Sequence, residues 1–158
     1  MDDELRKDFT RRLSQCNAGE MIVIIYDIGF AYLSDAKKAH EQCDGEAQKD
    51  ALRKAQRVLN ELIGSLDFSY DLSKNLYALY RFCKEQLSRA MYENRMDGVE
   101  ETEKILRRLY ASFVEAARQD KSAPLMKNTQ QVYAGMTYAR DAVNEDYMDV
   151  DYHRGFLV

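Results

Sequence analysis

The apolar residues between positions 72 and 91 recur every three or four residues, which is the spacing of one face of an α-helix. They are Leu72, Leu76, Leu79, Tyr80, Cys83, Leu87, Ala90 and Met91. Such a broad apolar stripe must be covered by other parts of the molecule. The pattern predicts a helix that starts after an N-cap at Ser69 or Asp71, ends near Asn94 and packs against other helices. Within it, we expect Leu76, Leu79, Cys83 and Leu87 to lie in the core, and Asn75, Tyr77, Tyr80 and Arg81 to lie at its edge.

Three other long segments show the same helical period. Asn17-Ala18-Gly19-Glu20 has the residue order of a capping box, so a largely buried helix should start there and end near Cys43. Two more helices are predicted from about Gln48 to Asp67 and from about Asn94 to Gln119. Gly45, in the connection after the first of these helices, is available for a left-handed C-cap. Gly64, inside the helix that ends near Asp67, predicts a close approach to a neighbouring helix.

The N-terminal residues 2–15 form a smaller amphipathic segment. Leu5, Phe9 and Leu13 are spaced by four residues, which predicts a narrow apolar stripe on a peripheral helix. This helix is either a packed arm of the fold or a movable cap over a binding surface.

Four helices of similar length with short connections predict an all-α fold, an antiparallel up-down four-helix bundle with an N-terminal helical arm. The single Pro and seven Gly agree with helices almost throughout. We expect residues 1–119 to form the bundle with its arm. Residues 120–158, after the break at Asp120 to Pro124, form a C-terminal extension that packs on the bundle or is partly disordered.

Charge and cysteine content limit the expected partners and cellular location of the protein. The chain has 158 residues and a net charge of -4, and the acidic excess lies from Asp141 onward, so nucleic acid is not an expected partner. Three cysteines without a C-x-x-C pair indicate reduced thiols and a cytoplasmic location. The longest continuous apolar block, residues 21–26, is too short to span a membrane.

The residues that usually carry catalysis are scarce. His40 and His153 are the two histidines, no phosphate-binding or dinucleotide-binding motif is present, and no Glu stands three residues before a His as in di-iron bundles. We therefore expect no enzyme activity, no cofactor and no metal. A helical metalloenzyme is the alternative from the class of enzymes. Eleven Tyr, seven Met and six Phe instead suggest a binding groove for amphipathic helices.

Residues from Glu20 to Arg118 resemble the flagellar secretion chaperone family FliS. The matching features are Ile25-Tyr26-Asp27 with Gly29 and Leu33, then Ala55-Gln56 with Leu66-Asp67, and finally Asn75-Leu76, Leu79-Tyr80, Leu87 and Ala90. The chain departs from the family at residues 17–20, at Ile28 and at Phe113. Residues 131–138 are similar to a C-terminal extension in a clostridial branch of the family.

The resemblance implies a cytosolic chaperone that binds the C-terminal segment of flagellin, which is disordered when free. Such a chaperone prevents premature polymerisation and keeps flagellin competent for secretion. It suggests Tyr26, Asp27, Asp67, Asn75, Leu79 and Tyr80 as residues that contact the partner or shape its groove. The alternative is an adaptor or regulator that binds another amphipathic-helix partner. We also expect that one or both chain ends lie over the groove when it is empty, so that deleting residues 120–158 tightens flagellin binding.

Overall fold

The computed structural model describes residues 2–126, and the expectations for His153 and the rest of the C-terminal extension fall outside that range. This part of the chain contains five α-helices and no strand. They are α1 (Asp3–Gln15), α2 (Ala18–Glu41), α3 (Gly45–Gly64), α4 (Asp71–Glu93) and α5 (Asp97–Gln119). The predicted all-α class is therefore confirmed for the described residues.

The order of neighbours is simple. Helix α2 packs against α3 and α5, and α4 packs against the same two helices. Helix α1 packs against α2 alone. Consecutive helices among α2 to α5 are thus neighbours in space, while α2 and α4 lie on opposite sides of the group.

The main hydrophobic core draws on all four of these helices. Its fully buried large side chains include Tyr26 and Leu33 of α2, Leu52, Leu59 and Leu62 of α3, Tyr80 and Leu87 of α4 and Val99 of α5. A second, smaller cluster consists of Phe9 of α1, Cys16 between α1 and α2, and Ile24 of α2, with Leu13, Met21, Ile28 and Ala31 packed around it. Because burial of apolar area is the main stabilising contribution, the first cluster holds the fold and the second holds α1.

Helices α2 and α3 approach each other closely at Gly29. A Cβ atom placed on Gly29 would lie 3.2 Å from Cγ1 of Val58, tighter than an ordinary contact. Our expectation of a close approach at Gly64 was wrong: no atom lies within 4 Å of a Cβ placed there, and α3 ends at that residue. Leu62 is the last fully buried residue of α3, Ile63 packs against the core beside it, and the helix ends at Gly64.

The predicted capping box at the start of α2 is confirmed. The side-chain oxygen of Asn17 accepts a hydrogen bond from Glu20 N at 2.8 Å, and the Glu20 carboxylate accepts one from Asn17 N at 3.0 Å. Asn94 ends α4 in the left-handed conformation with φ 51°. Asn tolerates this conformation better than most residues, which explains why the turn signal was informative.

Two predicted caps were wrong. Cys43, with φ 57°, takes the left-handed position after α2, whereas Gly45 is the first residue of α3. The Asp44 carboxylate accepts a hydrogen bond from Ala47 N at 3.0 Å, and this cap starts α3 earlier than its apolar residues indicated. The N-cap of α4 is Tyr70 rather than Ser69 or Asp71, and its side chain makes no capping hydrogen bond.

The chain after α5 returns to the junction between α1 and α2. Helix α5 ends at Gln119, as predicted. Asn17 Nδ2 donates to the Asp120 carbonyl at 3.2 Å, Gly19 N donates to the Asp120 carboxylate at 3.1 Å, and Leu125 N donates to the Cys16 carbonyl at 3.0 Å. Asp120 and Leu125, which belong to the predicted extension, are therefore hydrogen-bonded to the segment that joins α1 and α2.

Candidate partner-binding surface

The apolar stripe of α4 divides into a buried and an exposed part. Leu76, Tyr80, Cys83, Leu87 and Ala90 lie in the main core. Leu72, Leu79 and Phe82 are respectively 67 %, 37 % and 37 % exposed. Our prediction that Leu79 belongs to the core was therefore wrong, because the helix has more apolar positions than its two neighbours cover.

The exposed positions form a continuous row, which we call the α4 strip: Leu72, Asn75, Leu79 and Phe82. Their spacing of three, four and three residues places them on one side of the helix. Gln86 continues this row, and its side-chain oxygen would lie 3.2 Å from a Cβ placed on Gly98 of α5. The α4 strip consequently runs along the side of α4 that borders α5.

The turn before α4 adds further exposed apolar groups. Phe68 and Tyr70 are exposed, and the Phe68 ring packs edge-on against Tyr77 with their centroids 5.8 Å apart. Arg81 lies over the Tyr77 ring, 6.0 Å from its centroid. Phe68, Leu72 and Phe82 were not among our candidate residues. The signal that could have identified the strip is the second row of apolar positions beside the core row of α4.

Two of the predicted partner-binding residues, Asp67 and Asn75, lie at this surface. The Asp67 carboxylate accepts a hydrogen bond from Ser69 N at 2.9 Å, which lowers the pKa of that carboxyl group. The Asp67 carbonyl accepts a hydrogen bond from the Ser73 hydroxyl at 2.6 Å, so the residue shapes the turn into α4. The Asn75 side chain is exposed and makes no hydrogen bond to the described residues.

Two other predicted residues, Tyr26 and Tyr80, are buried and meet each other. Each is 1 % exposed, and their hydroxyl oxygens are 2.6 Å apart. Burial raises the pKa of both hydroxyl groups, so both stay neutral at physiological pH. Tyr80 was expected at the edge of the core, and the structure corrects this placement. With no exposed surface, the pair can shape a partner-binding surface but cannot touch a partner in this conformation.

Asp27 is engaged by α1. Its carboxylate accepts a hydrogen bond from Arg12 Nη2 at 2.6 Å, and both side chains are partly exposed. Burial, followed by a hydrogen bond with Asp27, raises the pKa of the Tyr110 hydroxyl on α5. The Asp27 carboxylate thus joins α2 to α1 through Arg12.

Helix α1 covers an apolar face of α2. Phe9 and Leu13 pack over Ile24 and Ile28, as the spacing of Leu5, Phe9 and Leu13 predicted for a docked helix, although Leu5 itself is exposed. Beside this contact, an open cavity of about 460 Å³ lies between α1, α2 and α5. The α2 face beneath α1 is therefore a second apolar surface, which is covered in this structure.

The described residues contain little that could perform chemistry. Within residues 2–126, no group of three or more His, Cys, Asp or Glu side chains is placed to hold a metal ion. The three thiols are unpaired, and His40 Nδ1 lies 3.2 Å from the side-chain oxygen of the buried Gln48. Across the same residues, no helix is both long and apolar enough to cross a membrane.

Comparison with known proteins assigns the chain to a family. The family model described as flagellar protein FliS matches residues 1–120, which include all five helices. No curated protein matches the chain in a sequence comparison. The matched range covers well over half of the 158 residues. The chain therefore belongs to the FliS family of flagellar export chaperones.

Proposed function

We propose that this protein is a cytoplasmic export chaperone that binds the C-terminal segment of flagellin. Binding would prevent premature polymerisation and keep flagellin competent for secretion. The family match over residues 1–120 supports the chaperone role, and the exposed α4 strip is the observation that supports a peptide partner. This role requires neither a catalytic step nor a cofactor.

The proposed architecture is an antiparallel up-down four-helix bundle of α2 to α5, with α1 as an N-terminal arm. The neighbour order supports it, because each of the four helices packs against the helices adjacent to it in sequence and α2 packs against α5. The connections of residues 42–44, 65–70 and 94–96 are short, which favours antiparallel neighbours. Residues 120–158 are the proposed extension.

The flagellin segment is proposed to fold along the α4 strip. An amphipathic helix could cover Leu72, Leu79 and Phe82 with its apolar face and reach the free amide of Asn75 with a polar group. Asp67 fixes the turn at one end of the strip, and the pair of Tyr26 and Tyr80 supports α4 from inside. Because the segment becomes ordered only on binding, part of the contact energy offsets its lost entropy, and release at the export apparatus stays feasible.

The α2 face beneath α1 is the second surface proposed to serve the guest. In the empty chaperone α1 covers Ile24 and Ile28, and Arg12 pairs with Asp27. A guest helix that replaced α1 would bury the same apolar groups and could offer its own cation to Asp27. In this arrangement α1 covers an apolar surface, which would otherwise favour aggregation, until a partner binds.

A binding experiment with two flagellin variants tests the proposal. Immobilised chaperone should retain full-length flagellin and lose it when the C-terminal segment is removed, while that segment fused to an unrelated protein should be retained. Retention of both flagellin forms to the same extent would contradict the assignment. That outcome would instead favour the alternative, an adaptor or regulator whose α4 strip binds a different amphipathic helix.

A further inference from the structure

The junction between α1 and α2 is very short, and hydrogen bonds join it to the segment that follows α5. It consists of Cys16 and Asn17, both buried, between the end of α1 at Gln15 and the start of α2 at Ala18. Three hydrogen bonds reach residues 16–19 from the segment that follows α5, two from Asp120 and one from Leu125. Residues more than a hundred positions apart in the chain therefore determine the geometry of this junction.

Asp120 is well placed to act as the central contact. One carboxylate oxygen accepts from Gly19 N at the start of α2, where backbone N–H groups lack helical partners. The other accepts from Ser122 N at 2.9 Å, which holds the turn that brings Leu125 back to Cys16. A Cβ placed on Gly19 would lie 3.0 Å from the Asp120 carboxylate, so the two segments are in direct contact.

The rest of α1 is held less firmly. It packs on α2 alone, chiefly through Phe9 and Leu13. Its ion pair with Asp27 is partly exposed, and exposed pairs stabilise by about 1 kcal/mol or less. The other ion pairs of α1 join residues of the same helix, such as Arg11 with Asp8. The helix is thus fixed at its C-terminal end and only lightly attached along its length.

We propose that Asp120 and Leu125 form a clamp that makes the α1–α2 junction a hinge. The clamp holds Cys16 and Asn17 in place while α1 opens and closes over α2 as a unit, and it favours the closed position by fixing the direction in which the chain enters α2. Loss of the clamp increases the open fraction without unfolding the core. The link from opening to guest access rests on the proposed function; the clamp itself does not.

The reaction rates of the three thiols report opening of different parts of the molecule, because the thiols differ in burial. Cys43 is exposed, Cys16 is buried in the small cluster beneath α1, and Cys83 is buried in the main core. Reaction with a disulfide reagent at constant pH should modify Cys43 at once, Cys16 when α1 opens and Cys83 when the core opens. Mass spectrometry of peptides separates the three rates, and no flagellin is needed.

Asp120→Ala should raise the Cys16 rate about tenfold and leave the Cys83 rate unchanged, because the lost hydrogen bonds involve a charged acceptor at the junction. Asp50→Ala is the matched control, since Asp50 is an exposed carboxylate whose partner Lys54 lies on the same helix. Phe9→Ala should also raise the Cys16 rate by weakening the docked face of α1.

Equal acceleration of Cys16 and Cys83 in Asp120→Ala would overturn the proposal, because it would show general destabilisation. An unchanged Cys16 rate in either Asp120→Ala or Phe9→Ala would also overturn it. If flagellin fails to bind but these rates behave as expected, the clamp stands and the proposed function falls.

Discussion

Two hydroxyl groups meet at the centre of the molecule. Tyr26 of α2 and Tyr80 of α4 belong to helices that do not pack against each other, and their long side chains bridge the space between. A buried hydroxyl without a partner is costly, and each tyrosine here satisfies the other. The pair therefore fixes the distance between α2 and α4 more specifically than aliphatic side chains would.

Tyr26→Phe and Tyr80→Phe should each destabilise the fold by about 1–3 kcal/mol, because either change leaves one buried hydroxyl unpaired. The double variant should lose less than the sum of the two. Urea unfolding of the four proteins in the cycle measures this coupling. Additive losses would show that the two hydroxyl groups do not act as a pair. Tyr92→Phe serves as a control, since Tyr92 is 92 % exposed.

The Cys83 thiol should make stability fall at alkaline pH. Burial raises its pKa to about 11, against about 8.5 for an exposed thiol. A raised folded-state pKa stabilises fully below pH 8.5, and this contribution is lost as the pH rises toward 11, by up to about 1.4 kcal/mol per pH unit.

Urea midpoints between pH 7 and pH 10 check this expectation. Cys83→Ala should be less stable at pH 7 but should lack this part of the alkaline decline, whereas Cys43→Ala should retain it. The same decline in both variants would show that other groups cause it.

At the scale of the helix, α4 has one row of apolar side chains in the core and a second, exposed row, which we propose binds the guest. Substitution on the outer row should weaken guest binding and leave stability nearly unchanged. Leu79→Ser and Phe82→Ser should each raise the Kd for the flagellin segment about tenfold, because a large apolar side chain contributes about 1.5–3 kcal/mol when fully buried and these are already partly covered.

Tyr92→Ser is the matched control for these two variants, as it removes a fully exposed aromatic group from the same helix away from the α4 strip. Isothermal titration calorimetry gives the Kd, and thermal unfolding gives the stability. Equal affinities for all three variants would exclude the strip as the contact surface.

Helix positions followed from the sequence more reliably than helix ends. The capping box at Asn17 and the left-handed Asn94 rest on local chemistry, and both are present. The residue types at Cys43 and Tyr70 do not indicate a left-handed turn or an N-cap. Backbone hydrogen bonds hold these two turns instead: Asp44 N donates to the Ala39 carbonyl, and Tyr70 N donates to the Asp67 carbonyl.

The candidate site was predictable to a smaller extent. Periodicity identified the apolar residues of α4 but could not show which of them neighbouring helices cover. The exposure of Leu79 and the burial of Tyr80 depend on how α4 is rotated in the assembled molecule. The pairing of Asp27 with Arg12 likewise depends on the position of α1, and no local pattern encodes it.

At the scale of the whole molecule, two apolar clusters of unequal size suggest two levels of stability. The larger cluster joins four helices, and the smaller one holds α1. We therefore expect α1 to open more often than the core, as peripheral elements with few contacts do. A chaperone can in this way expose one surface without losing its fold.

Truncation after Met126 tests whether the C-terminal extension competes with the guest. The chain ending at residue 126 should bind the flagellin segment more tightly than the full chain. If the extension covers the groove in part of the full-length molecules, the Kd of the full chain is the Kd of the truncated chain divided by the uncovered fraction. Deletion from residue 120 is a poorer test, since it also removes the contacts of Asp120 and Leu125. Calorimetric Kd values for both lengths decide the question, and unchanged or weaker binding argues against competition.

The contact of Gly29 with Val58 has a consequence for how the chaperone can change shape. At this point α2 and α3 are so near that even one added methyl group would force Val58 to move. We therefore expect α2 and α3 to move little relative to each other. We expect adaptation to guests of different sequence to come chiefly from α1, which packs on α2 alone and lies outside the main core.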